Sequence, residues 1–387
     1  MKKATILLSA IALMGVSVVS CTSNGQEVVE SNRSTRLTES IQTEELAFQI
    51  DTLYTELENP WGMTWLPDGR MLVNERAGEI LVFDGDLHTG EKLVGFPVTY
   101  NRGQSGLLDI QIHPNYAENG WIYVTYAKPG TGGGSTTLIR FKLDGNQITD
   151  LEELYQTMPV TSAGVHFGSR IIFDNDGYLY FSTGDRGVKP NSQDLTNDMG
   201  KVHRLHDDGR IPEDNPFVDV AGAKHSIWSY GHRNVQGMVY DSDNDVIYAT
   251  EHGPRGGDEL NKVEKGKNYG WPVITYGIDY SGAVISDLTH QDGMEQPVHY
   301  WTPSIAVCGL MLYTGDQFPE WKGNIFSGAL ALTHVARVVM NDGQYSHEEK
   351  LLDGIGRVRQ VAQSPDGYVY VLTEGPGQLL KLVPAAN

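Results

Sequence analysis

The chain has 387 residues, 40% hydrophobic and 20% charged, a globular composition with room for one large domain or two ordinary ones. Its formal charge of −20 excludes nucleic acid as a partner, because phosphate binding needs a basic face. The 44 glycines and 19 tyrosines favour short strands and many turns.

The chain opens with Lys2 and Lys3, then an apolar run from Ala4 to Val19. The run is too short, and too rich in small residues at its end, for a convincing membrane span, and reads as a targeting segment. It closes on Val18-Val19-Ser20-Cys21, which resembles a bacterial lipobox, whose Cys is lipidated and becomes the first mature residue. An ordinary signal peptide with an incidental Cys is the alternative. The expectation is a leader over 1–21 and an exported protein lipid-anchored in the cell envelope, in the periplasm or at the outer membrane. Its only membrane contact would be that lipid. Residues 22–45, rich in Ser, Thr, Glu and Asn, read as a solvated tether. The other cysteine, Cys308, would then have no intrachain partner and is expected to be a small buried residue.

From there the chain repeats itself loosely. "PDGRMLVNERAG" from Pro67, "ENGWIYVTYAKPG" from Glu118 and "NDGYLYFSTGDRG" from Asn175 share one form. So do "DNDVIYATEHGP" from Asp243, "WKGNIFSGAL" from Trp321 and "PDGYVYVLTEGP" from Pro365. Each is a turn, a short apolar or aromatic strand, then small polar residues or Gly. Asp-Gly and Asn-Gly supply the positive φ angles of tight hairpins. Measured at Leu72, Tyr123, Tyr180, Tyr248, Phe326 and Tyr370, the intervals are 51, 57, 68, 78 and 44 residues, blade-sized with insertions in the third and fourth. Helical periodicity is nearly absent, and the stretch near Asp150 to Tyr155 is at most a turn. The pattern predicts an all-β fold, a six-bladed β-propeller over about 46–384 in one domain; a β-sandwich or two all-β domains is the alternative.

Six further stretches carry polar chemistry: "RGQSGLLDIQIHP" from Arg102, "GVHFGSRIIF" from Gly164 with "STGDRG" after it, "YGHRNVQGM" from Tyr230, "TEHGPRGGDELNKVEKGKNYGWP" from Thr250, "WTPSIAVCGLMLY" from Trp301 and "GRVRQVAQSPDG" from Gly356. In this order they resemble the soluble PQQ-dependent aldose sugar dehydrogenases of the glucose/sorbosone dehydrogenase family, over nearly the whole mature chain. That family is a six-bladed propeller, in agreement with the repeat count.

The resemblance implies a cofactor, an ion and roles. Pyrroloquinoline quinone (PQQ) is a flat quinone with three carboxylates that accepts a hydride and needs countercharge, a cation, a base for the substrate hydroxyl and an orienting edge. His166 matches the family's catalytic base, and a neutral imidazole suits proton removal from an anomeric hydroxyl; a structural His in a turn is the alternative. Arg233 and Asn234 match the pair at the quinone oxygens, with Gln236 a helper, and Arg233 would also stabilise developing charge. Gln104 corresponds to a residue bordering substrate and cofactor, with turn stabilisation equally open. The carbonyls of Gly253 and Pro254 match the ligands of a Ca2+ ion; Glu259 and the carbonyl of Tyr269 match a second, structural calcium site, with Asp258 adjacent. Arg357 and Arg359, two apart, would point the same way from one strand toward cofactor carboxylates.

Three departures stand beside this match. Where glucose-oxidising members carry a cofactor-contacting Lys, this chain has Ala331, and neither His334 nor Arg337 is a clear replacement. "AVCG" at Ala306 to Gly309 replaces a Pro-Ser pair, and no acid adjoins His166 in sequence, so nothing obvious raises its basicity. The expected activity is oxidation of an aldose sugar to a lactone, with electrons passed to an external acceptor. The alternatives are a calcium-dependent lactonase-like hydrolase, which needs a central metal held by carboxylates, and a carbohydrate- or protein-binding lipoprotein without cofactor.

Overall fold

The computed structural model describes residues 35–36 and 39–385; the expected leader, Cys21 and most of the expected tether lie outside the described residues. Six antiparallel sheets, each with four strands in sequential order, make the blades. Blade one runs outward through Pro60–Trp65, Arg70–Glu75, Glu79–Asp84 and Leu87–Lys92. Blade two is Leu107–Ile112, Ile122–Gly130, Gly133–Asp144 and Gln147–Gln156. Blade three is Ile171–Phe173, Leu179–Thr183, Lys201–Leu205 and Ile227–Tyr230. Blade four is Val235–Asp241, Val246–Glu251, Asp258–Val263 and His299–Trp301. Blade five is Val307–Leu312, Ile325–Ala329, His334–Asn341 and Gln344–Leu351. Blade six takes Arg357–Gln363, Val369–Glu374 and Gln378–Pro384 from the C-terminal end and Ala47–Tyr54 from the N-terminal end. First strands of successive blades pack on one another around the axis. The six sequence markers, Leu72 through Tyr370, each fall in the second strand of a blade.

Second strands are packed on both faces by neighbouring blades. Leu179–Thr183 and Val369–Glu374 are buried at every position. A strand with no wet face cannot alternate, so the repeats read as continuous apolar or small-residue runs. The turns behave as their residues require: Gly69 and Gly367, after Asp68 and Asp366, have φ of 94° and 87°. Between blades five and six, Phe48, Trp321, Phe326, Val358 and Val371 share one apolar seam, where burying each side chain stabilises the fold by about 1.5–3 kcal/mol.

The ring closes where the two ends of the chain pair, with Leu382 opposite Ile50 and Pro384 opposite Phe48. Attachment begins before residue 46, the start expected from the sequence. Ile41–Gln42 pairs with Ala47–Phe48. Glu44 and Glu45 reach the fully buried guanidinium of Arg337 at 3.2 and 2.9 Å, beside Glu349. A second correction concerns Asp150 to Tyr155, which lies in the outer strand of blade two. That edge strand is largely solvated, so polar residues hide its β pattern.

This topology sorts the loops. Connections between blades, and hairpins between second and third strands, emerge at one end of the propeller. Every site residue expected from the sequence lies at that end.

Candidate active site

His166 sits in the connection between blades two and three, at φ 55°, a left-handed conformation uncommon for a residue with a β-carbon. Neighbouring groups hold it there. Gln104 Oε1 accepts the His166 backbone N–H at 2.8 Å, so the Gln104 carbonyl oxygen has a structural task and its amide nitrogen stays free for another. Arg186 donates from Nη1 to the Val165 carbonyl at 2.6 Å and from Nε to the Thr161 hydroxyl at 3.2 Å. Its guanidinium also lies 3.3 Å over the Phe167 ring. A β-carbon at Gly184 would come within 2.3 Å of the His166 carbonyl oxygen, so only glycine lets the two backbones approach.

The imidazole Nδ1 meets Asp185 Oδ1 at 2.5 Å. The same carboxylate accepts the Gly187 N–H at 2.7 Å and, through Oδ2, Trp271 Nε1–H at 2.8 Å. Burial alone would raise the Asp185 pKa. The His166 bond and charge, with the Gly187 and Trp271 donors, outweigh it and hold the acid below the usual carboxylate range. Burial pushes His166 below its ordinary value of 6.5, Asp185 opposes this, and the Arg233 charge adds to the depression. The ring is therefore neutral at pH 7. An ionised Asp185 fixes the proton on Nδ1 and leaves Nε2 as a bare lone pair. Nε2 has no hydrogen-bond partner among the described residues. The expectation that nothing supports His166 as a base is thus corrected: Asp185, from "STGDRG", does so through the fold.

Arg233 and Asn234 open blade four beside this pair. Arg233 Nη1 donates to the His252 and Gly253 carbonyls at 3.0 and 2.7 Å. Its guanidinium lies 5.4 Å from the Trp271 ring centre. Asn234 Oδ1 accepts the Gly168 N–H at 3.1 Å, and Gln236 Nε2 at 3.3 Å. Asn234 Nδ2 is buried with no partner among the described residues.

The Gly253-Pro254 turn is pinned by Asp258. Its Oδ1 accepts the Gly253 N–H at 2.9 Å, and its Oδ2 accepts Ala306 and Val307 N–H at 2.6 and 3.2 Å. Asp258 is thus committed to backbone and is not free to ligate an ion; the "AVCG" segment supplies two of its donors. A β-carbon on Gly253 would lie 2.0 Å from the Gly257 carbonyl oxygen. A small cavity beneath the turn is lined by Arg233, Glu251, Gly253, Pro254, Glu259, Tyr269 and Trp271. Here Glu251 and Glu259 share the Asn261 amide at 3.0 and 3.1 Å. Burial first, then the Glu251 charge, raise the Glu259 pKa.

Arg357 and Arg359 converge, as their spacing predicts, but on a carboxylate of the chain itself. Glu374 Oε1 takes Arg359 at 2.8 Å and Oε2 takes Arg357 at 3.4 Å. Arg357 Nη1 also reaches the Leu330 carbonyl at 3.0 Å, next to Ala331. His334 bonds the Leu332 carbonyl, and Arg337 is engaged at the N-terminal segment, so neither replaces a lysine at 331.

With this geometry in hand, comparison with known proteins is decisive. The Glucose / Sorbosone dehydrogenase family profile matches residues 57–381. The chain belongs to the glucose/sorbosone dehydrogenase family. It is 41% identical over 343 residues to the aldose sugar dehydrogenase YliI of Escherichia coli, covering 87% of this chain and 92% of that one. The structure of the apo-form of the E. coli soluble aldose sugar dehydrogenase superposes with a TM-score of 0.84 at 39% identity, covering 87% of this chain and 100% of the other. The PQQ-bound aldose sugar dehydrogenase of Streptomyces coelicolor superposes with a TM-score of 0.71 at 26% identity, covering 91% and 99%.

The residues of this family member suit a quinone and a hard cation. Asn234 Nδ2 is a buried donor with no acceptor among the described residues. Glu259 Oε1, which accepts no hydrogen bond among the described residues, is a carboxylate oxygen of the kind calcium prefers, whereas Glu251 is engaged by His232 Nδ1 at 3.0 Å, the Arg233 N–H at 2.7 Å and the Asn261 amide at 3.0 Å. At the Gly253-Pro254 turn, two backbone oxygens are currently taken by Arg233 and by the Ser304 hydroxyl, the latter at 3.2 Å. A groove between blades four and five, lined by Tyr240, Asp241 and Lys262, opens at the opposite end and holds none of these groups.

One residue at the axis had no signal in sequence. Arg170 of blade three lies 4.0 Å from the Trp61 ring of blade one and pairs with Asp109 of blade two at 3.0 Å. It donates to the Gln236 carbonyl of blade four at 2.8 Å and to the Arg359 carbonyl of blade six at 3.2 Å, and touches Cys308 Sγ of blade five at 4.0 Å. One buried guanidinium joins all six blades. Cys308 is fully buried beside it, as expected.

Proposed function

We propose that this chain is a PQQ- and calcium-dependent dehydrogenase that oxidises aldose sugars to lactones and passes the two electrons to an external acceptor. The observation that carries this is the His166–Asp185 pair, with Nε2 unpartnered, beside Arg233 and the orphaned Asn234 donor. The names of its relatives support it. When bound, PQQ supplies the hydride acceptor and calcium the Lewis acid. Arg233, Asn234, Gln104, Arg357 and Arg359 would border the quinone, the Gly253 and Pro254 carbonyls would hold the catalytic calcium, and Glu259 with the Tyr269 carbonyl a structural one.

His166 Nε2 takes the anomeric hydroxyl proton as the hydride departs from carbon. Asp185 keeps Nδ1 protonated and stabilises the imidazolium that forms. Arg233 offers Nε and Nη2 to the oxygen where negative charge collects. The Gln104 amide nitrogen suits a sugar hydroxyl. The Arg170 guanidinium at the axis disfavours the central cation that a lactonase-like hydrolase requires. The N-terminal leader and Cys21 support export and lipid anchoring in the cell envelope, in the periplasm or at the outer membrane.

The test adds calcium and PQQ to the purified apo-protein and follows aldose-dependent reduction of a dye, beside His166→Ala. Activity that needs both additions and vanishes in the variant supports the proposal. A protein that binds no PQQ and reduces no dye refutes it.

A further inference from the structure

Arginines across most of this acidic protein are matched by carboxylates: Arg70 with Asp68, Arg140 with Glu152, Arg204 with Asp214, Arg210 with Asp208, Arg337 with Glu349. Among the arginines of residues 39–385, those without a carboxylate within 4 Å are Arg76, Arg102, Arg186, Arg233 and Arg255, and all five lie at the His166 end. Guanidinium groups without a carboxylate partner, gathered at one end of a chain of charge −20, favour an anion there.

Arg76 is the telling member. It sits in the hairpin between the second and third strands of blade one. Its Nη1 donates to the Gly103 carbonyl at 2.6 Å, one residue before Gln104, whose side chain holds His166. Its Nε is buried without a partner, and Nη2 makes no hydrogen bond among the described residues. Burial, then the Arg359 and Arg357 charges, lower its pKa, and Glu374 opposes them, so Arg76 lies within electrostatic reach of the cluster in the first two strands of blade six. Glu374 already neutralises one of the two arginines of that pair. A cofactor with three carboxylates then finds one net positive charge from the Arg357–Arg359–Glu374 cluster of blade six, and blade five offers only Ala331.

We infer that Arg76 is a fourth cofactor-binding guanidinium, beside Arg233, Arg357 and Arg359, supplying from blade one the positive charge that Ala331 does not supply from blade five. Its Nε and Nη2 form the free edge of the fork, suited to a carboxylate. The inference rests on the PQQ reading above.

Calorimetric titration of PQQ into the calcium-loaded full-length apo-protein tests it, on wild type, R76Q and R76K, with the apo melting temperature of each. R76Q is expected to weaken PQQ binding by about tenfold to a hundredfold, the worth of one hydrogen bond to a charged group. R76K, which keeps the charge and can reach Gly103, is expected to recover part of that loss. Wild-type affinity in R76Q overturns the assignment and leaves the PQQ reading standing. No PQQ binding by the wild type removes that reading instead. If R76Q lowers the melting temperature and R76K restores it without any gain in affinity, Arg76 is a loop clamp and the assignment falls.

Discussion

Asp185→Asn is the sharpest perturbation of the proposed base, because the hydrogen-bond inventory dictates its outcome. Oδ1 accepts from His166 Nδ1 and Gly187 N, and Oδ2 accepts from Trp271 Nε1. An amide can keep only one oxygen. If the oxygen stays at the Oδ1 position, the NH2 faces the Trp271 N–H, donor against donor. If it stays at Oδ2, the NH2 faces the Gly187 N–H and His166, and His166 must turn to the tautomer with its proton on Nε2, which is no base. Either way a buried donor is left unpaired at about 1–3 kcal/mol, and the charge behind the imidazolium is gone. Tautomer reversal of this kind costs on the order of 10⁴ in kcat in a serine-protease triad. The expectation is a kcat loss on the order of 10²–10⁴ in dye reduction by the PQQ-loaded enzyme. Trp271→Phe removes the opposing donor, so it should rescue part of the Asp185→Asn loss while costing little alone. A kcat for Asp185→Asn within about threefold of wild type, or no rescue in the double variant, would refute this reasoning.

Three further predictions follow from the same geometry. Because burial holds His166 below 6.5, the neutral ring persists toward mildly acid pH; the acid limb of kcat/KM should be centred below pH 6.5, and a limb centred above 7 contradicts the assignment. Glu259 is raised by burial and by Glu251, so its ionised form destabilises the fold increasingly above the usual carboxylate range, and a cation removes that penalty. Calcium should therefore raise the melting temperature more at pH 8 than at pH 5.5, by about 2 °C per kcal/mol; Glu259→Gln should abolish the response, and a full calcium shift in that variant contradicts the site. Gly253→Ala drives a β-carbon to 2.0 Å from a carbonyl oxygen; it should cost about 1–3 kcal/mol in urea denaturation and abolish calcium-dependent PQQ binding, and a variant that binds normally shows the turn to be less constrained than described.

The propeller was legible because its second strands are buried on both faces, so six apolar runs after turn residues mark six blades. The outer strand at 147–156 was not, since a solvated edge leaves no such run. In the site, motifs pointed to His166, Arg233 and the Gly253-Pro254 turn, but not to what orients them. Asp185 reaches His166 only because the hairpin after blade three's second strand folds over the preceding connection. Trp271 belongs to the long segment between the third and fourth strands of blade four, which climbs back to the His166 end. The Arg357 spacing was informative, and its partner was within reach, since Glu374 is directly opposite Arg357 in the hairpin register. Arg170 was not within reach: contacts to five other blades leave no trace at one position.

The central claim is that aldose oxidation occurs at His166 on a bound quinone. Its most direct test mixes PQQ-loaded protein with excess aldose anaerobically, without dye, and quantifies lactone in a single turnover. One equivalent of lactone per bound PQQ in wild type, and none in a His166→Gln variant that still binds PQQ, is the predicted result. A wild-type protein that holds PQQ and yields no lactone, or a His166→Gln variant that yields it at the wild-type rate, would contradict the account.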